Sequence, residues 1–142
     1  MKYNYAILGA GRQGQAIAYD LAKNGNAKSV CLFDFNKEIA TQASIRLNEL
    51  IKTDLIISKE IDVTRSNQLI HELKNYDTLI SAVPYFLNEL ITDVALKNKI
   101  NMVDLGGNTE IVKKQLSKNV DAINSKITIT PDCGMGPGMN IT

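Results

Sequence analysis

Tyr5-Ala6-Ile7-Leu8-Gly9-Ala10-Gly11-Arg12-Gln13-Gly14 joins an apolar run to a glycine-rich turn. A short apolar run stops at Gly9, and from Gln15 the apolar positions change spacing, with Ile17, Ala18, Leu21 and Ala22 falling on one face of a helix. The expected order is strand, tight turn, helix. The three glycines serve different mechanical ends. Gly9 allows the sharp exit from the strand, Gly11 leaves bare backbone for a pyrophosphate to approach, and Gly14 lets the helix pack close to the sheet. A phosphate so placed sits at the positive end of the helix.

Downstream, Asn24-Gly25-Asn26 supplies residues that tolerate a left-handed conformation at a helix end. Val30-Cys31-Leu32-Phe33 then reads as a second buried strand ending at Asp34, twenty residues after Gly14. An acid at that strand end accepts hydrogen bonds from both hydroxyls of an adenosine ribose, and its charge repels a 2′-phosphate. The resulting expectation is an NAD site built on Gly9, Ala10, Gly11, Arg12, Gln13, Gly14 and Asp34. NADP stays open, because Arg12 or Lys37 reaches a 2′-phosphate if the loop folds over the ribose. A helix-capping or solvated Asp34 is the plainer alternative.

The alternation continues through a helix around Ile39 to Leu50, a strand at Leu55-Ile56-Ile57, a helix around Asn67 to Leu73 and a strand from Leu79 to Val83 closed by Pro84. A helix from about Phe86 to Leu96, a strand from Met102 to Leu105, a helix around Ile111 to Ile123 and a strand from Ile127 to Thr130 complete it. Six short apolar strands alternating with five helices predict an α/β domain of the Rossmann type. In it a doubly wound parallel sheet is covered by helices on both faces, because parallel strands need crossovers. In such sheets ligands bind at the carboxyl edge, so Asp62-Val63 and Ala82-Val83-Pro84 are expected to line the adenosine pocket. For Asp62 and Pro84 the roles of turn residue and strand terminator stand equally open.

The bulk numbers exclude several other classes. At 142 residues the chain is long enough for one domain with a proper core. Sixteen basic against fifteen acidic side chains give no broad positive field, so nucleic acid is not an expected partner. No long apolar segment suggests export or membrane insertion. Cys31 and Cys133 lie far apart without zinc-ligand spacing, which makes a reducing, cytoplasmic setting the expectation and leaves no readable metal site. His71 stands in a polar helical stretch and reads as a surface residue. Tyr19 and Lys23 have the Y-x-x-x-K spacing of a catalytic pair, but on the first helix the tyrosine could not face a nicotinamide.

Five stretches together carry a family resemblance. They are the glycine turn, Asp34, Ile80-Ser81-Ala82-Val83-Pro84-Tyr85, Val103-Asp104-Leu105-Gly106-Gly107-Asn108-Thr109, and above all Pro131-Asp132-Cys133-Gly134-Met135-Gly136-Pro137-Gly138-Met139. They resemble the saccharopine dehydrogenase family, most closely its lysine 6-dehydrogenase-like members, over the cofactor-domain part alone. The resemblance implies hydride transfer between a nicotinamide cofactor and the amine-bearing carbon of an amino acid. It also implies a substrate pocket shared with a following α+β domain that forms a homodimer. By position Ser81, Gly106, Asp132 and Cys133 would fall near the nicotinamide, with Asp132 and Cys133 as candidate substrate contacts; an ordered hinge at Asp132-Cys133-Gly134 is the alternative.

Residues 1–130 are therefore expected to form the dinucleotide-binding domain, and 131–142 to begin the connection to the missing domain. Alone, such a chain would bind cofactor and not turn over. The competing reading is a ligand-sensing regulatory module of the kind that gates potassium transport, which shares the glycine turn and the strand-end acid.

Overall fold

The computed structural model describes residues 1–134. Six parallel strands form one sheet in the order β3-β2-β1-β4-β5-β6: β1 Tyr3–Leu8, β2 Ala27–Asp34, β3 Ile56–Glu60, β4 Thr78–Ser81, β5 Asn101–Asp104 and β6 Ile129–Thr130. Six helices join them: α1 Arg12–Asn24, α2 Lys37–Ile51, α3 Ser66–Glu72, α4 Asn88–Asn98, α5 Thr109–Ser117 and α6 Asn119–Ser125. The order reverses between β1 and β4, so the first half of the sheet grows one way and the second half the other. That is the doubly wound Rossmann arrangement, and the reversal opens a crevice above the carboxyl ends of β1 and β4.

Strand residues alternate between two cores, as a period of two requires. Ile7, Val30, Leu32, Ile56 and Ile80 pack with Ala18 of α1 and with Ala40, Ala43 and Leu47 of α2. Ala6, Leu8, Cys31, Phe33, Leu79 and Met102 pack on the opposite face with Leu69 of α3 and with Ile91, Val94 and Ala95 of α4. Helices α5 and α6 lie beside α4. No helix among the described residues is long and apolar enough to cross a membrane.

Two expectations need correction. The helix expected over Ile111 to Ile123 is two helices, because the backbone leaves the helical track at Lys118 (φ −88°, ψ 12°). No glycine or proline marks the break. The Lys118 ammonium instead turns onto Asp93 of α4 and the Glu89 carbonyl, contacts that only the packed neighbour supplies. Within the Asn24-Gly25-Asn26 stretch expected to end α1, Asn26 supplies the left-handed conformation (φ 50°) while Gly25 has φ −86°. Finally, α1 starts at Arg12, inside the glycine motif, which brings its first turn to the sheet edge.

Candidate functional site

The glycine turn is held from every side. Gly9 donates to the Phe33 carbonyl at 2.7 Å, and Ala82 donates to the Leu8 carbonyl at 2.8 Å, so β1 leaves the sheet between its two neighbours. Gly9 has φ +99°, and a Cβ there would stand 2.7 Å from the Ala82 oxygen. A Cβ on Gly14 would stand 1.8 Å from the Gly9 oxygen, so only glycine lets α1 close on the strand it follows. Gly11 differs from both, since a Cβ there meets nothing within 4 Å. Nothing among the described residues demands a glycine at 11, and they leave the space beside its backbone open.

Gly11 is the N-cap of α1 without a side-chain cap, and no acid stands in the first turn. The first intrahelical bond is Gln15 to the Gly11 carbonyl at 3.0 Å, which leaves the amides of Arg12, Gln13 and Gly14 before it. Arg12 and Gln13 are exposed at that end. Ala10 plays another part: it is fully buried, its N–H donates to Asp34 Oδ2 at 2.8 Å, and its carbonyl accepts from Gln15 Nε2 at 2.7 Å. It anchors the turn and lines no part of the cleft beside it. Gln15, which the glycine motif does not single out, is in turn held by Arg46 of α2.

Asp34 ends β2 and braces the turn there. Its two carboxylate oxygens accept from Ala10 N and from Asn36 N, the latter at 2.9 Å. It is not the cap of α2; that role falls to Asn36, whose side chain accepts from Glu38 N and Ile39 N. Each Asp34 oxygen keeps further lone-pair capacity for a ribose hydroxyl.

A cleft of about 430 Å³ opens between these parts. Eight of the expected residues line it: Gly9, Gly11, Asp34, Asp62, Val63, Ala82, Val83 and Pro84. Phe35 and Thr64, not foreseen, join them. Phe35 is 77% exposed directly after the strand-end acid, an aromatic face with no core to fill. An apolar residue continuing past Asp34 was the available signal. Asp62 both lines the cleft and shapes a turn. Its Oδ1 accepts from the Thr64 hydroxyl at 2.6 Å and the Thr64 N–H at 3.0 Å, and Arg65 stands at 3.4 Å from Oδ2. The Thr64 hydroxyl and amide, with help from Arg65, hold its carboxyl below the usual aspartate value.

Toward β5 and β6 the edge is polar and tightly built. Asp104 is fully buried at the end of β5, and a Cβ on Gly106 would fall 1.7 Å from Asp132 Oδ1. Gly107 lies against the Tyr85 ring, where a Cβ would meet the ring's Cδ1 at 3.3 Å. Ser81 is buried and donates to Asn88 Oδ1, so it faces α4 and not the open edge. Cys133 is exposed, its N–H on the Asp104 carbonyl at 2.8 Å. Met135 to Met139 of the terminal motif lie outside the described residues. Elsewhere Lys23 Nζ donates to the Tyr19 hydroxyl at 3.2 Å on α1, and His71 is exposed beside Glu72.

Residues 5–130 match the family described as the saccharopine dehydrogenase NADP binding domain. The mitochondrial alpha-aminoadipic semialdehyde synthase of Rattus norvegicus is 23% identical over 139 residues, which are 98% of this chain and 14% of that protein. An apo saccharopine dehydrogenase (L-Glu forming) from Saccharomyces cerevisiae superposes with a TM-score of 0.78 at 21% identity, over 97% of this chain and 28% of that one. Quinate dehydrogenase from Corynebacterium glutamicum in complex with NAD follows with a TM-score of 0.68 at 15% identity, over 95% of this chain and 46% of that one. The chain thus spans about one seventh of the length of its curated relative, covering 14% of it. At these identities the two structures speak for the fold. The family match gives no support to the ligand-sensing alternative.

Proposed function

The chain belongs to the family of saccharopine dehydrogenase NADP binding domains, and from that premise we propose that it is the cofactor-holding part of an oxidoreductase acting on the CH–NH group of an amino acid. The family match over residues 5–130 carries the reading. The cofactor of the family is a nicotinamide dinucleotide, which supplies the hydride chemistry when bound. This chain's own residues bind and orient it. The uncapped amides at the start of α1 and the open side of Gly11 suit a pyrophosphate. Asp34 suits the adenosine ribose and Phe35 the adenine face, while Asp62-Val63 and Ala82-Val83-Pro84 form the facing wall. Amino-acid substrate, turnover and homodimer belong to the remainder of a longer protein on this reading.

We assign NAD over NADP on the charge of Asp34, although the family's description names NADP. On this reading the carboxylate would meet a 2′-phosphate on the adenosine ribose, and two like charges in contact disfavour each other. The test is calorimetric titration of the chain with NAD, NADH and NADPH, repeated on Asp34→Asn, which removes the charge and keeps one acceptor oxygen. The expected result is a preference of about tenfold or more for NADH over NADPH, about 1.4 kcal/mol, that Asp34→Asn narrows. A wild-type preference for NADPH reverses the cofactor assignment. Failure of all three to bind at millimolar concentration removes the functional reading and leaves the fold.

A further inference from the structure

Asp104 is a carboxylate with no solvent exposure, and no lysine or arginine forms an ion pair with it among the described residues. A buried charge without a countercharge is unfavourable unless donors surround it. Three N–H donors do so here. Oδ1 accepts from Gly106 N at 2.8 Å and Asp132 N at 3.1 Å, and Oδ2 accepts from Gln115 Nε2 at 2.7 Å. One oxygen therefore ties together two segments far apart in the chain, the turn after β5 and the segment after β6. Both tied residues have positive φ, +69° at Gly106 and 62° at Asp132, a region glycine and aspartate enter readily, and both N–H groups point at the same Asp104 oxygen.

The tie continues inward. Gln115 Nε2 also donates to Thr92 Oγ1 at 3.0 Å, Thr92 Oγ1 donates to the Asn88 carbonyl at 2.7 Å, and Ser81 Oγ donates to Asn88 Oδ1 at 2.7 Å. This fully buried path joins the end of β4 to the end of β5 through α4 and α5. It even leaves Gln115 Oε1 without a partner among the described residues. Replacing buried polar groups by apolar ones of similar volume is often neutral for stability, so stability is a weak account of the network. The network does explain how the β5 and β6 ends are held at one geometry beside the crevice. Given adenosine on the β2 side, the nicotinamide end of a dinucleotide runs toward these strands.

We propose that Asp104 is a positioning residue that holds the Gly106 turn and the left-handed Asp132 in the arrangement required by the nicotinamide end of the cofactor. The inference rests on the dinucleotide reading above. Its test compares NADH with ADP-ribose, which keeps adenosine, pyrophosphate and the second ribose but lacks nicotinamide, on the wild-type chain, Asp104→Ala and Asp104→Asn. Wild type is expected to bind NADH more tightly than ADP-ribose. Asp104→Ala loses about tenfold or more for NADH and stays within about threefold for ADP-ribose. Asp104→Asn keeps an Oδ1 acceptor for both amides and stays within about threefold of wild type on both ligands.

Equal losses for the two ligands in Asp104→Ala, or no wild-type preference between them, overturn the positioning role. If Asp104→Ala does not fold, Gln115→Leu provides the comparison, because it removes the donor to Asp104 Oδ2 from a buried position on α5 that the cleft does not touch. An NADH-selective loss there supports the role and a uniform loss overturns it. Wild type binding neither ligand fells the dinucleotide reading itself, a result distinct from both.

Discussion

Two glycines of one motif separate structure from function. Gly14 has backbone 1.8 Å from where a Cβ would be, so Gly14→Ala forces helix and strand apart and is expected to cost about 3 kcal/mol, read as a lower urea midpoint. Gly11 has φ −70° and open space, so Gly11→Ala should lower that midpoint only slightly, by the roughly 0.5 kcal/mol of a poorer N-cap, while weakening NADH by about tenfold, because the added methyl stands where a phosphate would approach. Loss of stability with retained binding in Gly11→Ala would refute that division. The two cysteines divide in a similar way. Burial pushes the Cys31 thiol up to about 11 from 9.0, whereas Cys133 is exposed, its own thiol raised by partial burial and then by Asp104 and Asp132. The native chain should therefore show one thiol reacting slowly and the second only on unfolding, counted with a chromogenic disulfide reagent. The folded state favours protonated Cys31, so its contribution to stability is complete below pH 9.0 and is lost as pH rises to about 11. Cys31→Ala should flatten that alkaline decline, measured by urea unfolding across the window.

At the scale of elements, two helices, α2 and α5, start on an asparagine whose side chain caps them. Asn36 caps α2 through Glu38 N and Ile39 N while its own N–H fixes Asp34, so one residue orients both the helix and the acid. Asn36→Ala is expected to lose about 1 kcal/mol by thermal unfolding, and a change below about 0.3 kcal/mol would mean that the cap contributes little. Asn108 caps α5 in the same manner through Glu110 N and Ile111 N. The start of α1 has neither cap nor acid, a lack it shares with α3, but it alone follows the glycine turn at the carboxyl edge of β1, where a helix N-terminus suits an anion. Element types and order were readable from apolar spacing, because strands buried on both faces and helices buried on one leave different patterns. The break at Lys118 was not, since its cause lies on another helix, at Asp93 and Glu89 of α4.

For the molecule as a whole, the reversal of strand order between β1 and β4 gathers the glycine turn, Asp34, Asp62-Val63 and Ala82-Val83-Pro84 around one cleft. A ligand that binds only the folded chain stabilises it by about 2.7 kcal/mol at a hundred times its dissociation constant. NADH at that ratio should raise the melting temperature by roughly 8 °C for a chain of this size, and a melt unmoved by NADH and NADPH alike would count against the cleft.

By itself the sequence determined the alternation of strands and helices, the glycine turn and the strand-end acid. These depend on spacing and on local backbone geometry, and the residues that express them are neighbours along the chain. Only the tertiary structure decided that Ala10 and Asn36 engage Asp34, that Phe35 faces the cleft, and that Asp104 joins Gly106 to Asp132. Ala10 with Asp34 and Asp132 with Asp104 are brought together by crossovers of the sheet, and the short turns at Asn36 and Gly106 depend on which way a side chain faces; neither kind of hydrogen bond leaves a periodic trace in the sequence.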